Sequence, residues 1–209
     1  MNEIENIPFD EMCKKYVHPG VLLQDPGIVL TKEGSELYSF PLFTPLFCET
    51  LIKTAEQANK YGDDRHEYYP TTDVLINDIG YGKFYKDVLK TYVHPLCCYV
   101  WRIDKGPDKL ISEDFLIRYT PDTQAGLRIH NDFSLFTVCV TLNRDFKGGG
   151  TAFPRQNVKW IGEVGSAVIH PGRLTHPHGG IPITEGKRFI TVSFCWDDLV
   201  DNSHFAERQ

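Results

Sequence analysis

The hydrophobic and polar positions of this chain follow two different periods in its two parts. Up to about residue 105, apolar side chains recur three and four positions apart, which is typical of amphipathic helices. After Gly106 the apolar positions alternate with polar ones, as they do in half-buried strands. Helices followed by a run of short strands predict an α+β fold. We therefore expect a helical lead-in over about residues 1–105 and a strand-rich core over about 110–197.

Three segments of the first part carry a helical pattern. Residues 7–19 form a short amphipathic stretch that ends at a proline and a glycine. A helix near 45–60 is expected because a threonine cap is followed by a proline at the first helical position. A third pattern runs from Phe84 to Trp101 and is interrupted at Pro95, since proline removes a helical hydrogen bond. Helices thus dominate the lead-in.

Three short apolar runs of the lead-in read as strands. Ile28–Leu30 and Leu37–Phe40 flank a glycine-containing turn, so they predict a strand pair that could border a sheet. Thr72–Ile76 reads as a short strand or turn.

The core carries five longer strand patterns separated by turns rich in glycine, proline and aspartate. Such a series of short strands predicts a double-sheet jelly roll, the double-stranded β-helix of cupin-like proteins. The five patterns are Phe115–Tyr119, Phe133–Leu142, Gly150–Phe153, Ala167–His170 and Arg188–Phe194.

Length and composition narrow the class of protein. A chain of 209 residues without a low-complexity linker or an obvious repeat predicts one domain, residues 1–209. Apolar residues make up 41%, charged residues 24%, and no apolar run is long enough to span a membrane. The net charge of −6 argues against a nucleic-acid partner, because phosphate binding needs a basic surface.

The six cysteines and the first residues bear on compartment. The cysteines show neither a CxxC pair nor a zinc-binding spacing, so a disulfide framework is not expected. The start of the chain, residues 1–6, is acidic and polar, and no signal peptide is visible there.

Histidines and one carboxylate form the candidate metal site. His130 and Asp132 are one residue apart in an extended segment, so their side chains point the same way. His-x-Asp alone is a weak signal, but a histidine cluster follows at His170, His176 and His178. Two histidines and a carboxylate on one face describe the facial triad of non-haem Fe(II) oxygenases. The residues themselves leave His176 and His178 nearly even as the distal ligand.

Arg188 opens the last apolar strand pattern and needs an anionic partner. It lies in phase with Ile190 and Val192, so turning it to solvent would expose an apolar face. A buried arginine must be paired, and a dicarboxylate cosubstrate would suit its planar fork.

These motifs together resemble the 2-oxoglutarate- and Fe(II)-dependent dioxygenases, and specifically the catalytic domain of the procollagen lysyl hydroxylases, including a viral homologue as one form. The resemblance is specific from about residue 70 to 196. It is carried by Ile117–Asp122, Asn143, Gly148–Gly150, His170–His176 and Gly186–Phe194.

The resemblance implies a set of site residues. It makes His178 the distal ligand beside His130 and Asp132, and it assigns Arg188 to 2-oxoglutarate. Further contacts to the cosubstrate are expected at Tyr119, at Arg65 and at Cys139, which stands where relatives carry asparagine.

The implied activity is hydroxylation of peptidyl lysine at C5 in collagen-like Gly-X-Lys sequences. Fe(II), 2-oxoglutarate, O2 and ascorbate are the implied cofactors and cosubstrates, and succinate and carbon dioxide are the coproducts. A prolyl hydroxylase or another 2-oxoglutarate oxygenase would keep the same triad, and a non-catalytic jelly-roll binding module would keep only the fold.

The resemblance also implies partners. A collagen-like peptide substrate and a homodimer are expected, with Leu174 as the candidate interface residue and an ordinary core leucine as the equal alternative. Asp122, in the polar segment 121–126 that could act as a lid, is a candidate partner for the lysine head group. The compartment would be the endoplasmic reticulum lumen if the protein is like its cellular relatives.

Overall fold

The longer helices of the computed structural model lie where the apolar spacing predicts them. The structure describes residues 7–63, 65–66, 68–102 and 109–197, so the polar start of the chain lies outside it. The helix near 45–60 is confirmed, and its Thr44 hydroxyl accepts a hydrogen bond from the Phe47 amide at 3.4 Å. None of the helices within these ranges is long and apolar enough to cross a bilayer. The α-helices are α1 (Phe9–Tyr16), α2 (Pro19–Leu22), α3 (Pro26–Val29), α4 (Pro45–Ala58), α5 (Gly82–Val88) and α6 (His94–Trp101).

Pro95 shapes the third helical segment. A π-helical turn at Leu89–Val93 joins α5 to α6, and Pro95 lies in the first turn of α6. A proline has no amide hydrogen and crowds the preceding turn, so a widened turn accommodates it without ending the helical path.

The strand predicted at Ile28–Leu30 is wrong. Ile28 and Val29 instead lie in α3, whose N-terminal cap is Asp25: the Asp25 carboxylate accepts a hydrogen bond from the Gly27 amide at 2.9 Å. Pro26 occupies the first helical position, where its missing amide hydrogen costs nothing. A cap and a proline together outweigh the β-branched residues that follow.

The other predicted strands are confirmed with shifted ends, and short strands of three or four residues join them. Phe133–Leu142, for example, narrows to Phe136–Thr141. The strands are β1 (Thr31–Gly34), β2 (Leu37–Pro41), β3 (Asp73–Leu75), β4 (Leu110–Tyr119), β5 (Leu127–His130), β6 (Phe136–Thr141), β7 (Phe146–Gly148), β8 (Thr151–Phe153), β9 (Val158–Trp160), β10 (Ser166–Pro171), β11 (His178–Gly180), β12 (Ile183–Gly186) and β13 (Arg188–Asp197).

The strands form two facing antiparallel sheets. The major sheet has the order β1-β2-β10-β6-β13-β4-β3, and the minor sheet has the order β5-β11-β8-β9. A two-stranded ribbon, β12-β7, accompanies them. A strand pair does border the major sheet, but the partner of β2 is β1 (Thr31–Gly34), where a turn was predicted, and not Ile28–Leu30. The predicted α+β jelly roll with flanking helices is confirmed.

The two faces of the major sheet bury different layers. Phe136, Val138 and Val140 of β6 pack with the helices in the larger hydrophobic cluster. Cys139, between them, belongs to the cluster that lies between the two sheets. All six residues of β6 are buried, because both faces of this strand are covered. The space between the sheets is the place where polar side chains of the core meet.

Candidate active site

A cavity of about 620 Å³ lies between the sheets. This volume falls in the range of small-molecule binding sites. Tyr68 and Phe133 line it and are each 62% exposed, so they mark its open side. Arg188 and Tyr119 also line it and are only 1% and 2% exposed, so they mark its deep end.

Strand register places two histidines side by side in this cavity. His130 of β5 and His178 of β11 are directly opposite partners, and their ring centroids are 4.5 Å apart. The Nδ1 atom of His130 lies 2.9 Å from the carbonyl oxygen of Arg128, and that of His178 lies 2.9 Å from the carbonyl of His176. A carbonyl only accepts, so each Nδ1 carries the hydrogen. Each Nε2 is therefore left as a metal-binding lone pair.

Gly179 makes the close approach of these two strands possible. A Cβ atom at this position would lie 2.8 Å from the carbonyl oxygen of Leu127 on β5. Any larger residue would push β11 away from β5 and separate the paired histidines.

Asp132 completes the group from the turn after β5. Its Oδ1 lies 3.3 Å from Nε2 of His130, and its Oδ2 lies 3.4 Å from Nε2 of His178. Thr137 donates a hydrogen bond to Oδ2 at 2.6 Å, and Ser134 in turn donates to Thr137 at 2.7 Å. The candidate ligand atoms of the triad all lie within 4.8 Å of one another.

The protonation states suit a cation. Burial alone would raise the pKa of Asp132, but the neighbouring His178 and His130 hold it well below its usual range. Burial lowers the pKa of His178, whereas the hydrogen bond and charge of Asp132 overcome burial and raise the pKa of His130. A metal ion bound here would displace the proton that Asp132 attracts to His130. One ionised carboxylate and two imidazole nitrogens on one face fit Fe(II) and leave its other positions open.

The alternative distal histidine points elsewhere. His176 is 2% exposed, and its Nε2 lies 3.0 Å from the carbonyl oxygen of Ser35, outside the cavity. Of the two candidates that the sequence left open, the geometry brings His178 to the group and leaves His176 in a packing role.

Arg188 closes the deep end with unused donors. Its Nη2 donates to Thr151 at 3.2 Å, while Nε and Nη1 find no hydrogen-bond partner in the described part of the chain. Its guanidinium carbon lies 5.4 Å from the ring centroid of Tyr119. Burial raises the pKa of Tyr119 to about 12 and that of Cys139 to about 11, so both stay neutral. An anion is thus the missing partner of Arg188.

Arg65, unlike Arg188, already has anionic partners. It pairs with Asp73 at 2.7 Å and with Glu113, and it lies over the ring of Phe115 at 5.2 Å. It is not among the residues that line the cavity. The expected contact between Arg65 and 2-oxoglutarate has no support in this geometry.

Residues 68–72, which we call the strap, lie over the candidate metal ligand His130. The sequence did not predict this contact. The Tyr69 ring lies 4.8 Å from that of His130, and Arg128 covers Tyr69 at 4.5 Å. Gln124 fixes the strap, accepting from the Thr72 amide at 2.7 Å and donating to the strap's Pro70 carbonyl at 2.6 Å. The segment 121–126, expected as a lid, therefore anchors the strap and does not line the cavity.

Solved structures of 2-oxoglutarate oxygenases have a similar fold. A viral collagen prolyl hydroxylase from Paramecium bursaria Chlorella virus-1, solved with 2-oxoglutarate, matches 78% of this chain and 96% of its own, with a TM-score of 0.53 and 18% identity. A Pseudomonas putida prolyl-4-hydroxylase matches 77% of this chain and 91% of its own, with a TM-score of 0.54 and 16% identity. The fold is that of the 2-oxoglutarate- and Fe(II)-dependent oxygenases.

Sequence similarity to curated proteins is more specific than the similarity of fold. No protein-family profile matches the chain. The mimivirus procollagen lysyl hydroxylase and glycosyltransferase is 36% identical over 202 residues, which cover 88% of this chain and 22% of the relative. Procollagen-lysine,2-oxoglutarate 5-dioxygenase 1 of Gallus gallus is 35% identical over 200 residues, 88% of this chain and 27% of the relative.

The chain is a homologue of the procollagen lysyl hydroxylases, and the resemblance predicted from its motifs is confirmed. It spans about a quarter of the length of these curated relatives.

Proposed function

We propose that this protein hydroxylates peptidyl lysine at C5 in collagen-like Gly-X-Lys sequences, with Fe(II) and 2-oxoglutarate. The observation that carries the proposal is the group of His130, Asp132 and His178, with ligand atoms within 4.8 Å, in a cavity that ends at Arg188. The homologues named for this reaction support the choice of lysine. In a cell, the corresponding compartment would be the endoplasmic reticulum lumen.

The residues that line the cavity divide between binding the metal and binding the cosubstrate. The bound iron and 2-oxoglutarate would supply the oxidising chemistry, with O2 consumed and succinate and carbon dioxide released. His130, Asp132 and His178 would hold the metal, and Thr137 orients the carboxylate of Asp132. Arg188 would bind the distal carboxylate of 2-oxoglutarate through the donors it has left. Apolar side chains of the cluster between the sheets surround these charged groups.

The cavity suits the stem of a lysine side chain better than its charged head. Apart from Asp132, no carboxylate lines the cavity in the described part of the chain. Asp122, the expected partner of the head group, is exposed and outside the lining. The ammonium would therefore stay near the open side, by Tyr68 and Phe133, in contact with water and aromatic faces.

Two assays test the proposal. Succinate formation from 2-oxoglutarate, with and without a collagen-like lysine peptide, separates an oxygenase from a non-catalytic binding module. Mass spectrometry of matched peptides, with lysine or proline at the reacting position, should show one added oxygen atom on lysine only. Oxygen added only to the proline peptide would make the protein a prolyl hydroxylase with the same metal chemistry.

A homodimer is part of the proposal. Leu174 lies between β10 and β11 and is 84% exposed, so it is not the ordinary core leucine that was the alternative. An exposed leucine so near His178 is explained if a second copy covers it. Leu174→Asp should give a folded monomer in sedimentation or light scattering. An unchanged dimer would remove Leu174 from the interface, and a monomeric wild-type protein would refute the dimer itself.

A further inference from the structure

His66 lines the cavity without belonging to the group around the candidate metal position. Its ring packs against two aromatic side chains, with its centroid 5.1 Å from that of Phe115 and 6.2 Å from that of Phe194. Its Nε2 atom is buried and has no hydrogen-bond partner in the described part of the chain. A phenylalanine would pack between the same rings without a buried polar atom, so packing alone does not explain a histidine here.

A buried carboxylate lies behind this ring. Oδ2 of Asp73 is 3.7 Å from Nε2 of His66, which is an electrostatic contact too long for a hydrogen bond. Asp73 and Glu113 share the single cation Arg65, so the three ionised side chains together carry one negative charge. Burial raises the pKa of Asp73, while hydrogen bonds from Thr71 and Arg65 favour its ionised form. The cluster is therefore negative on the side that His66 covers.

This charge selects the tautomer of His66. An imidazole with an ordinary pKa of about 6.5 is mostly neutral above pH 7. Burial, opposed in part by Asp73, lowers the pKa of His66 further. A neutral ring is most stable with its one hydrogen on Nε2, beside the carboxylate of Asp73. Nδ1 is then a free acceptor, since it makes no hydrogen bond to the described residues and the side chain is 17% exposed.

His66 lies where the head group of a lysine would come. Phe194, its aromatic neighbour, is near the end of β13 opposite to Arg188. It pairs across the sheet with Thr137, which donates a hydrogen bond to the carboxylate of the metal group. Tyr68, two residues after His66, marks the open side of the cavity. In lysine only one carbon atom separates C5 from the ammonium nitrogen, so an ammonium on the open side lies close to this wall when C5 is at the metal.

We propose that His66 is a specificity-determining residue whose Nδ1 accepts a hydrogen bond from the lysine ammonium, with Asp73 supplying the negative charge behind the ring. This inference rests on the proposed function. An ammonium has three donors and no acceptor, so a neutral imidazole with a carboxylate behind it is a matching partner. A side chain without this nitrogen leaves the acceptor unpaired, and a site built around a hydrogen bond rejects such a substrate strongly.

Two peptides that differ only in the head group test this role. Collagen-like peptides carry lysine or norleucine at the reacting position, and norleucine keeps C5 and C6 but lacks the ammonium. The ratio of kcat/KM for the two peptides is measured from added oxygen in the wild-type, His66→Phe and His66→Asn proteins. The Phe variant keeps an aromatic ring and loses the acceptor, so the preference for lysine should fall about tenfold to a hundredfold, the effect of one hydrogen bond to a charged group. The Asn variant keeps an acceptor and should retain part of the preference.

The ratio separates this role from damage to the fold, which would lower both values alike. His176→Phe makes the same change at a histidine that contacts Ser35 outside the cavity, so it should leave the ratio unchanged. If His66→Phe does not fold, judged by its melting temperature, His66→Leu replaces it as the variant without an acceptor. An unchanged ratio in a folded, iron-loaded variant overturns the role of His66 and leaves the proposed function intact. A wild-type protein that adds oxygen to norleucine but not to lysine, or to neither peptide, would instead refute the proposed function and this role with it.

Discussion

Arg188 and Arg65, two arginines of this domain, are held in opposite ways. Arg188, at the deep end of the cavity, is 1% exposed and has two nitrogens without a hydrogen-bond partner in the described part of the chain. Arg65, near the sheet edge, is shared by the carboxylates of Asp73 and Glu113. The family resemblance assigned both to the cosubstrate, and the structure leaves only one available.

The difference shows which part of the domain is built for stability and which is built for a ligand. A buried guanidinium without an anion weakens the fold, so its presence points to a partner that arrives later. A guanidinium with two carboxylates is already satisfied and ties β3 to β4 through Asp73 and Glu113. Paired substitutions in the two regions can separate these roles.

The largest contrast is expected between the aspartates of the two regions. Asp132→Ala removes one of three protein ligands and should abolish both iron binding and succinate formation. Asp73→Asn leaves Arg65 paired with Glu113 alone and should destabilise the fold by about 1–3 kcal/mol while the protein still binds iron. Iron titration and chemical denaturation of both variants measure this. Wild-type turnover in Asp132→Ala would show that His130, Asp132 and His178 do not hold a metal that the reaction needs.

The next largest contrast is expected between Arg188 and Arg65, in the effect of their substitution on the KM for 2-oxoglutarate. Arg188→Ala should raise the KM for 2-oxoglutarate by about a hundredfold or more, since losing a buried charge-assisted pair costs about 3–5 kcal/mol. Arg188→Lys should recover only part of this, because lysine lacks the planar fork. Arg65→Ala should lower the melting temperature and leave that KM within about twofold, because a side chain outside the cavity has no interaction with the cosubstrate to lose. The assignments are reversed if Arg65→Ala has the larger effect on KM.

A smaller contrast is expected between His178, the first residue of β11, and His176, which precedes that strand. His178→Ala should lose tight iron binding, whereas His176→Ala loses a hydrogen bond to Ser35 and should keep measurable iron binding. Isothermal titration with Fe(II) under anaerobic conditions compares them. Stronger loss in His176→Ala would mean that the wrong histidine was chosen.

The smallest expected effect is a dependence of the free energy of unfolding on pH that comes from His170, a residue that lines the cavity. The pKa of His170 is about 3 in the folded protein and about 6.5 in an unfolded chain. Between these values the unfolded chain binds a proton that the folded chain does not. The free energy of unfolding of the metal-free protein should therefore fall as pH decreases below about 6.5, by about 1.4 kcal/mol per pH unit from this group. Denaturant unfolding at pH 7.5, 6 and 5 checks this, and His170→Phe should lose this part of the slope. If the free energy of unfolding changes equally with pH in the wild-type and His170→Phe proteins, His170 is not the group that causes the pH dependence.

Local patterns explain what the sequence predicted. The phase of β13 placed Arg188 on a buried face because alternation is a property of neighbouring residues. The same alternation put His130 and Asp132 on one side, although β5 ends at His130. Caps and prolines located α4.

Long-range pairing explains what the sequence did not predict. The partners of Arg65 lie 8 and 48 residues further along the chain, and no local pattern records such a pairing. Strands β7, β9, β11 and β12 have only three or four residues, too few for a periodic signal. The position of the strap over His130 depends on the side chains of Gln124 and Arg128, which look like ordinary surface residues in sequence.

The cross-strand pairing of His130 with His178 has a consequence for how the domain folds. The two residues lie 48 positions apart, so a metal ion that binds both would act as a cross-link across a long loop. Binding to the folded chain alone would stabilise it by mass action. Amide hydrogens of β5 and β11 should then exchange more slowly with solvent deuterium once iron is added, while those of β6 and β13, deep in the major sheet, should change little. Iron supply would in that case set the lifetime of the minor sheet as well as the rate of the reaction.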